Sequence, residues 1–212
     1  MKRKSKFLIT IIFLATGIYS FSYGQETGSF TDARDGKVYK TVKINDQVWM
    51  GENLAFKTAS GCSVYENVKD YQKIHGYLYT WEAATKGCPD GWHLPSMQDW
   101  WYLSNFLGGD EKSGGKLKQT GTTTWKSPNT GATNSSGFTA LASGRSEDKA
   151  MEHLGNTTFF WTNVDDDDVT SWCGALYSSQ AILSLYPAKK KDGYSVRCIK
   201  NSEQTDKAFE FW

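Results

Sequence analysis

The chain has 212 residues, with 24 Lys+Arg against 23 Asp+Glu and a formal net charge of +1, which excludes the strongly basic surface that nucleic-acid binding uses. Nine tryptophans and four cysteines describe an aromatic-rich protein long enough to bury a sizeable core in one domain.

The chain starts with Lys2, Arg3, Lys4 and Lys6, and an apolar run follows from Phe7 to Tyr19. Small Ser22 and Gly24 stand at the positions a signal peptidase reads. The run is short of the ~20 apolar residues of a membrane span. Residues 1–24 therefore read as a cleaved signal with Gln25 as the mature start; the rival reading is an uncleaved membrane anchor. No cysteine lies near the cleavage point, so a lipid anchor is not supported. Removing the four basic residues leaves 20 (24 minus 4) against 23 acidic, a net charge of −3. Nothing here suggests nucleic acid, and no membrane span remains after cleavage.

Residues 25–34 are polar and read as a loose N-terminus. From Val38 to Met50 apolar residues alternate, and Asn45-Asp46 marks a turn, so a β-hairpin is expected. Residues 57–76 read as a long loop. Tyr77 to Gly87 has helical composition and ends at glycine. The clearest helix follows Pro95. Ser96 is a natural N-cap with Asp99 three residues on, close to a capping box. Trp100, Leu103 and Leu107 share a face, and Gly108-Gly109 ends the helix. Between Gly114 and Arg145 glycine, threonine, serine and asparagine dominate, with isolated Trp125 and Phe138, which reads as short strands joined by long loops. Residues 156–163 and 171–179 are strand candidates. Residues 193–200 form the expected last core strand, with Val196 and Cys198 on one face, and 201–212 is a tail with an apolar tip.

Cys62, Cys88, Cys173 and Cys198 are an even set in an oxidising compartment, so two disulfides are expected, with three pairings open. There is no C-x-x-C, and no close ligand pairs that would suggest zinc.

Taken in order, "DGKVYKTVKINDQVWMGENL", "GYLYTWEAATKGCPDGWHLPSMQDWWYL", "GGKLKQTGTTTWKSPNTGATNSSGFTALASGRS", "FFWTN" and "GYSVRCIK" resemble the Fibrobacter succinogenes major paralogous domain, a family of secreted or surface proteins frequent in Bacteroidetes and Fibrobacteres. The resemblance runs from about residue 35 to residue 200. That family is similar to the C-type-lectin-like fold, which implies an α+β domain of two helices packed on a twisted antiparallel sheet with a long loop region. The resemblance also implies that Cys88 bonds Cys198, leaving Cys62 and Cys173 to each other. The same fold includes formylglycine-generating enzymes, whose chemistry needs two neighbouring reactive cysteines before the last strand. Here that region offers only Cys173.

His93, between Trp92 and Leu94, invites a metal-ligand or general-base reading, but no Ser/His/Asp order or H-x-x-x-H spacing supports it. A ring donating to backbone in the corner before the helix is the expectation. Trp92, Trp100 and Trp101 read as core. The acidic run offers Asp165, Asp167 and Asp168 as calcium candidates, against a solvated acidic loop and no cofactor. Trp125, Asn129, Asn134, Trp161, Asn163 and Trp172 are the ligand-binding candidates, with indoles stacking on sugar rings and amides reading hydroxyls, against a structural loop pinned by a buried tryptophan. Asn134 and Asn156 are glycosylation acceptors in form only. No catalytic residue is assigned. The expected function is an exported binding or adhesion module for glycan or protein, non-enzymatic, with its surface between Gly121 and Ser171. The alternatives are a degenerate formylglycine-generating-type or glycan-processing enzyme, and a structural envelope protein.

Overall fold

The computed structural model describes residues 25–65 and 68–202. The expected signal at 1–24 and the apolar tip of the tail lie outside them. The chain forms an α+β domain. In order it runs β1 (Thr27–Thr31), β2 (Val38–Ile44), β3 (Gln47–Met50), β4 (Cys62–Ser63), α1 (Tyr71–His75), β5 (Leu78–Tyr79), α2 (Trp81–Thr85), β6 (Trp92–His93), α3 (Met97–Phe106) and α4 (Asp110–Leu117). The elements after α4 are all strands: β7 (Arg145–Glu147), β8 (Ala150–Glu152), β9 (Thr157–Asp165), β10 (Thr170–Tyr177), β11 (Ser184–Lys189) and β12 (Ile199–Lys200). One sheet has the order β1-β2-β3-β12-β6 and a second β11-β10-β9, with β4-β5 and β7-β8 as two-stranded ribbons. Among the described residues no helix is long and apolar enough to cross a membrane.

The β2–β3 hairpin forms as expected, with Asn45 in the left-handed region at φ 53° in the turn between Ile44 and Gln47. Both of its faces are buried. Tyr39 and Met50 enter one core with Leu54, Tyr79, Phe159, Trp161, Cys173 and Val196. Val42, Ile44 and Trp49 enter another with Trp100, Leu103, Trp125, Phe138 and Phe160. β9 divides in the same way, Phe159 and Trp161 to the first core and Phe160 to the second. Strands covered on both sides need apolar residues at consecutive positions rather than strict alternation.

Three expectations are corrected. Residues 25–34 are not loose: Thr27–Thr31 pairs antiparallel with Val38–Val42, which satisfies the backbone of a polar stretch. Two helices were expected and four form. α1 lies within the expected loop at 57–76, and α4 carries Gly114-Gly115. A Cβ on Gly114 would sit 2.4 Å from the Ile182 carbonyl oxygen, and one on Gly115 2.3 Å from that of Gly131. The two glycines, poor helix formers, let α4 lie directly on backbone. The last strand is also shorter than expected. Only Ile199–Lys200 ladders, while 194–198 threads between elements, its carbonyls accepting from Tyr79 N, Trp161 N, Leu54 N and Met50 N.

Cys88 and Cys198 are bonded, with Cα atoms 5.8 Å apart. The second disulfide does not form: Cys62 and Cys173 are free. Cys62 is half-buried on β4 opposite Tyr79, with its thiol toward the Thr58 carbonyl at 3.7 Å. Cys173 is sealed in the centre of β10, between Trp161 and Tyr186 on the neighbouring strands.

Two buried cations tie the long glycine-rich region to this frame. Lys118 Nζ donates to the carbonyls of Thr130 (2.9 Å), Tyr177 (2.9 Å) and Gln180 (2.7 Å). Burial lowers its pKa to about 8, so it keeps three donors at neutral pH. Arg197 lies under Phe138, 4.4 Å from the ring centroid. It donates to Asn53 Oδ1 (2.7 Å) and to the carbonyls of Met50, Phe138 and Thr139.

Candidate functional site: the outer face of helix α3

Three of the six ligand-binding candidates, Trp125, Asn129 and Trp161, are internal. Trp125 is 1% exposed; its indole N–H donates to Ala140 O at 2.8 Å and Lys118 Nζ stands 5.2 Å from its ring. Trp161 is fully buried and donates to Tyr79 O at 2.7 Å. Asn129, in a left-handed conformation, spends its amide N–H groups on Gln119 O and Gly121 O. Asn134 exchanges hydrogen bonds with Thr139. These residues hold the loop region together, and a buried indole cannot stack on a ligand. Asn163, exposed, and Asn134 and Trp172, both half-buried, reach the surface. The Trp172 N–H donates to Asp166 Oδ1 at 3.2 Å.

Three of the four aspartates of the acidic run, Asp165, Asp166 and Asp167, are engaged locally. Asp167 Oδ1 accepts from Val169 N, Thr170 N and the Thr170 hydroxyl, and these hold its pKa below the usual carboxylate value. Asp165 pairs with Lys190 at 2.6 Å. The Asp168 carboxylate makes no hydrogen bond or ion pair among the described residues. Among the described residues no group of three or more His, Cys, Asp or Glu side chains could hold a metal ion.

His93 does not donate to backbone. Its Nδ1 meets Asn201 Oδ1 at 2.7 Å and its Nε2 lies 3.5 Å from Asp99 Oδ2. Asp99 raises the His93 pKa above its ordinary value, against burial and with help from Asn201. Burial works to raise Asp99, but His93 and the Ser96 hydroxyl and N–H outweigh it and its pKa falls. The three residues are one cap. Asp99 N donates to Ser96 Oγ at 3.1 Å and Ser96 N to Asp99 Oδ2 at 2.8 Å, a complete capping box. Gln47 of β3 donates to the Asp99 carbonyl (3.2 Å) and Oδ1 (3.3 Å), fastening the hairpin to the helix start.

The helix so fixed is apolar on two sides. Its inner face places Trp100 against Trp49 (5.1 Å between centroids), Phe138 (5.9 Å) and Phe160 (5.7 Å), with Leu103 and Leu107 beside it. Its outer face shows Trp101 at 57%, Tyr102 at 47% and Phe106 at 57% exposure. Trp101 and Tyr102 meet edge-on at 5.2 Å, and Gln98 donates to the Tyr102 hydroxyl at 3.1 Å. Gln98 and Asn105 are exposed on the same side. Phe106 also lines a groove of about 500 Å³ with Ile44, Leu107, Lys43, Asn45 and Ser136. Trp101 was expected in the core, but adjacent helical residues point about 100° apart, so only one of Trp100 and Trp101 can face the sheet. Once Trp100, Leu103 and Leu107 define the inner face, the same period places Gln98, Tyr102, Asn105 and Phe106 opposite. That signal was present in the sequence and pointed away from the loops.

An α+β domain closed by a disulfide onto the segment that leads into its last strand, with a capped helix displaying aromatics, is the class of protein the geometry defines. The chain belongs to the Fibrobacter succinogenes major domain family, whose model matches residues 42–200. No curated protein and no solved structure matches it.

Proposed function

We propose that the protein is an exported, non-catalytic binding module of C-type-lectin-like fold that takes a glycan on the outer face of α3. The observation that carries this reading is the cluster of Trp101, Tyr102 and Phe106, flanked by the amides of Gln98 and Asn105. Soluble domains seldom leave several large aromatics together in water without use. Indole and phenol rings stack on the apolar faces of sugar rings, and side-chain amides read hydroxyls. The adjoining groove, about 500 Å³, is within the range of small-ligand sites. Recognition needs a rigid platform, and α3 is pinned by its capping box and by Trp100.

Export is supported by the Cys88–Cys198 bond, which persists in oxidising compartments. The non-catalytic reading is supported at Cys173: burial pushes its thiol pKa upward, away from a reactive thiolate. The lectin-like reading is supported by the capped α3 and by the bond from Cys88 to the closing segment. A glycan array probed with wild type and Trp101→Ala tests the function. Wild type is expected to retain one group of glycans and the variant to lose it. An array with no retained glycan for wild type would sink the proposal.

A further inference from the structure

A second concave surface shares no lining residue with the α3 groove. It consists of two adjoining hollows of about 620 Å³ and 430 Å³ that have Cys62, Ser63, Lys149 and Met151 in common. Lys57 stands in the first and Lys191 in the second, and no carboxylate lines either. Lys191 is ion-paired with Asp148. Lys57 and Lys149 have no hydrogen bond or ion pair among the described residues. The nearby Glu147 and Glu152 are engaged by Arg145. Serine and threonine hydroxyls from Ser63, Thr80 and Ser146 line the same walls.

Lys149 occupies this rim under strain. Asp148 (φ 47°) and Lys149 (φ 71°) form the two-residue turn between β7 and β8. Such a turn is best served by Asn-Gly or Asp-Gly, because a side chain with a Cβ is disfavoured in the left-handed region. A lysine kept where glycine would be more stable points to use of its ammonium.

We infer that this lysine groove binds an acidic glycan, with Lys57 and Lys149 meeting carboxylate or sulfate groups while the hydroxyl-lined walls meet the sugar. The site is independent of the α3 face and stands or falls by itself. Cys62 supplies a reporter, since it is half-exposed within the groove whereas Cys173 is buried. The experiment follows the labelling rate of Cys62 by a thiol reagent, and binding by calorimetry, with oligogalacturonate, dextran sulfate, neutral dextran and poly-glutamate as probes. At least one acidic glycan is expected to bind, to slow Cys62 labelling several-fold, and to weaken as salt is raised; neutral dextran should do neither. Lys57→Glu/Lys149→Glu should lose at least tenfold in affinity and label at the free rate with glycan present. Lys149→Gly should melt no lower than wild type yet bind more weakly, which separates charge from folding. Trp101→Ala should leave this binding unchanged. Failure of both acidic glycans to bind or protect Cys62, or unchanged binding by the double variant, would overturn the inference. Equal protection by poly-glutamate would overturn the choice of glycan.

Discussion

Trp125 tests whether the tryptophans of the glycine-rich region serve folding or recognition. Trp125→Ala removes a side chain that is 1% exposed and opens a cavity in the core that also holds Leu117, Phe138 and Ala142. Large-to-small changes at a buried tryptophan cost about 3–5 kcal/mol. The lost indole N–H adds little, because Ala140 O also accepts from Gln119 N at 3.0 Å and keeps a partner. Trp125→Phe fills most of the space and should cost about 1–2 kcal/mol, mainly from packing. At roughly 2–4 °C per kcal/mol for a chain of this size, the alanine variant should melt about 6–20 °C lower and the phenylalanine variant only a few degrees lower. Thermal unfolding by circular dichroism on wild type, both variants and Trp101→Ala reads this directly, and Trp101→Ala should lie within about 0.5 kcal/mol of wild type. If Trp125→Ala melts with wild type, the loop does not rest on this indole, and its return to the list of binding residues would be justified.

Three further outcomes are expected. Lys118→Met should cost about 1–3 kcal/mol by removing the donor shared by the carbonyls of Thr130, Tyr177 and Gln180, read as a lower denaturant midpoint; an unchanged midpoint would mean these carbonyls find water. Replacing Cys88 and Cys198 by serine should destabilise the domain by about 2–5 kcal/mol, since the bond closes a loop with a sequence separation of 110, and native wild type should show one accessible thiol, Cys62, and two when unfolded; four thiols on unfolding would remove the disulfide. Burial lowers the His75 pKa to about 4, so between pH 6.5 and 4 the unfolded chain binds a proton that the native state does not, and stability should fall by about 3 kcal/mol as pH drops through that window; His75→Gln should flatten the slope, and an unaltered slope would assign the effect elsewhere.

What could be read from the sequence followed from local chemistry. Ser96 and Asp99 announced the start of α3, and the structure completes that box with its carboxylate. The turn at Asn45 and the strands around Phe159 and Cys173 were equally visible, and the family resemblance supplied the Cys88–Cys198 bond. The rest depended on tertiary neighbours. Gly114-Gly115 argues against a helix until the backbone at Gly131 and Ile182 lies against it. The alternation from Val38 to Met50 did not show that Tyr39 is buried while Val38 is exposed, because the hairpin has a core on each face. Trp125 and Trp101 look alike as isolated letters. One sits over a buried lysine and the other in water, and only Trp101 had a helical period that showed its direction.

The most direct test of the account is the affinity of wild type and of Trp101→Ala for a glycan retained by the wild-type protein, measured with the two thermal melts alongside. The account predicts coincident melts and at least a tenfold loss of affinity, as expected where stacking on an indole carries about 1.4 kcal/mol or more of the binding. Equal affinities with coincident melts would contradict it and remove the outer face of α3 from the function.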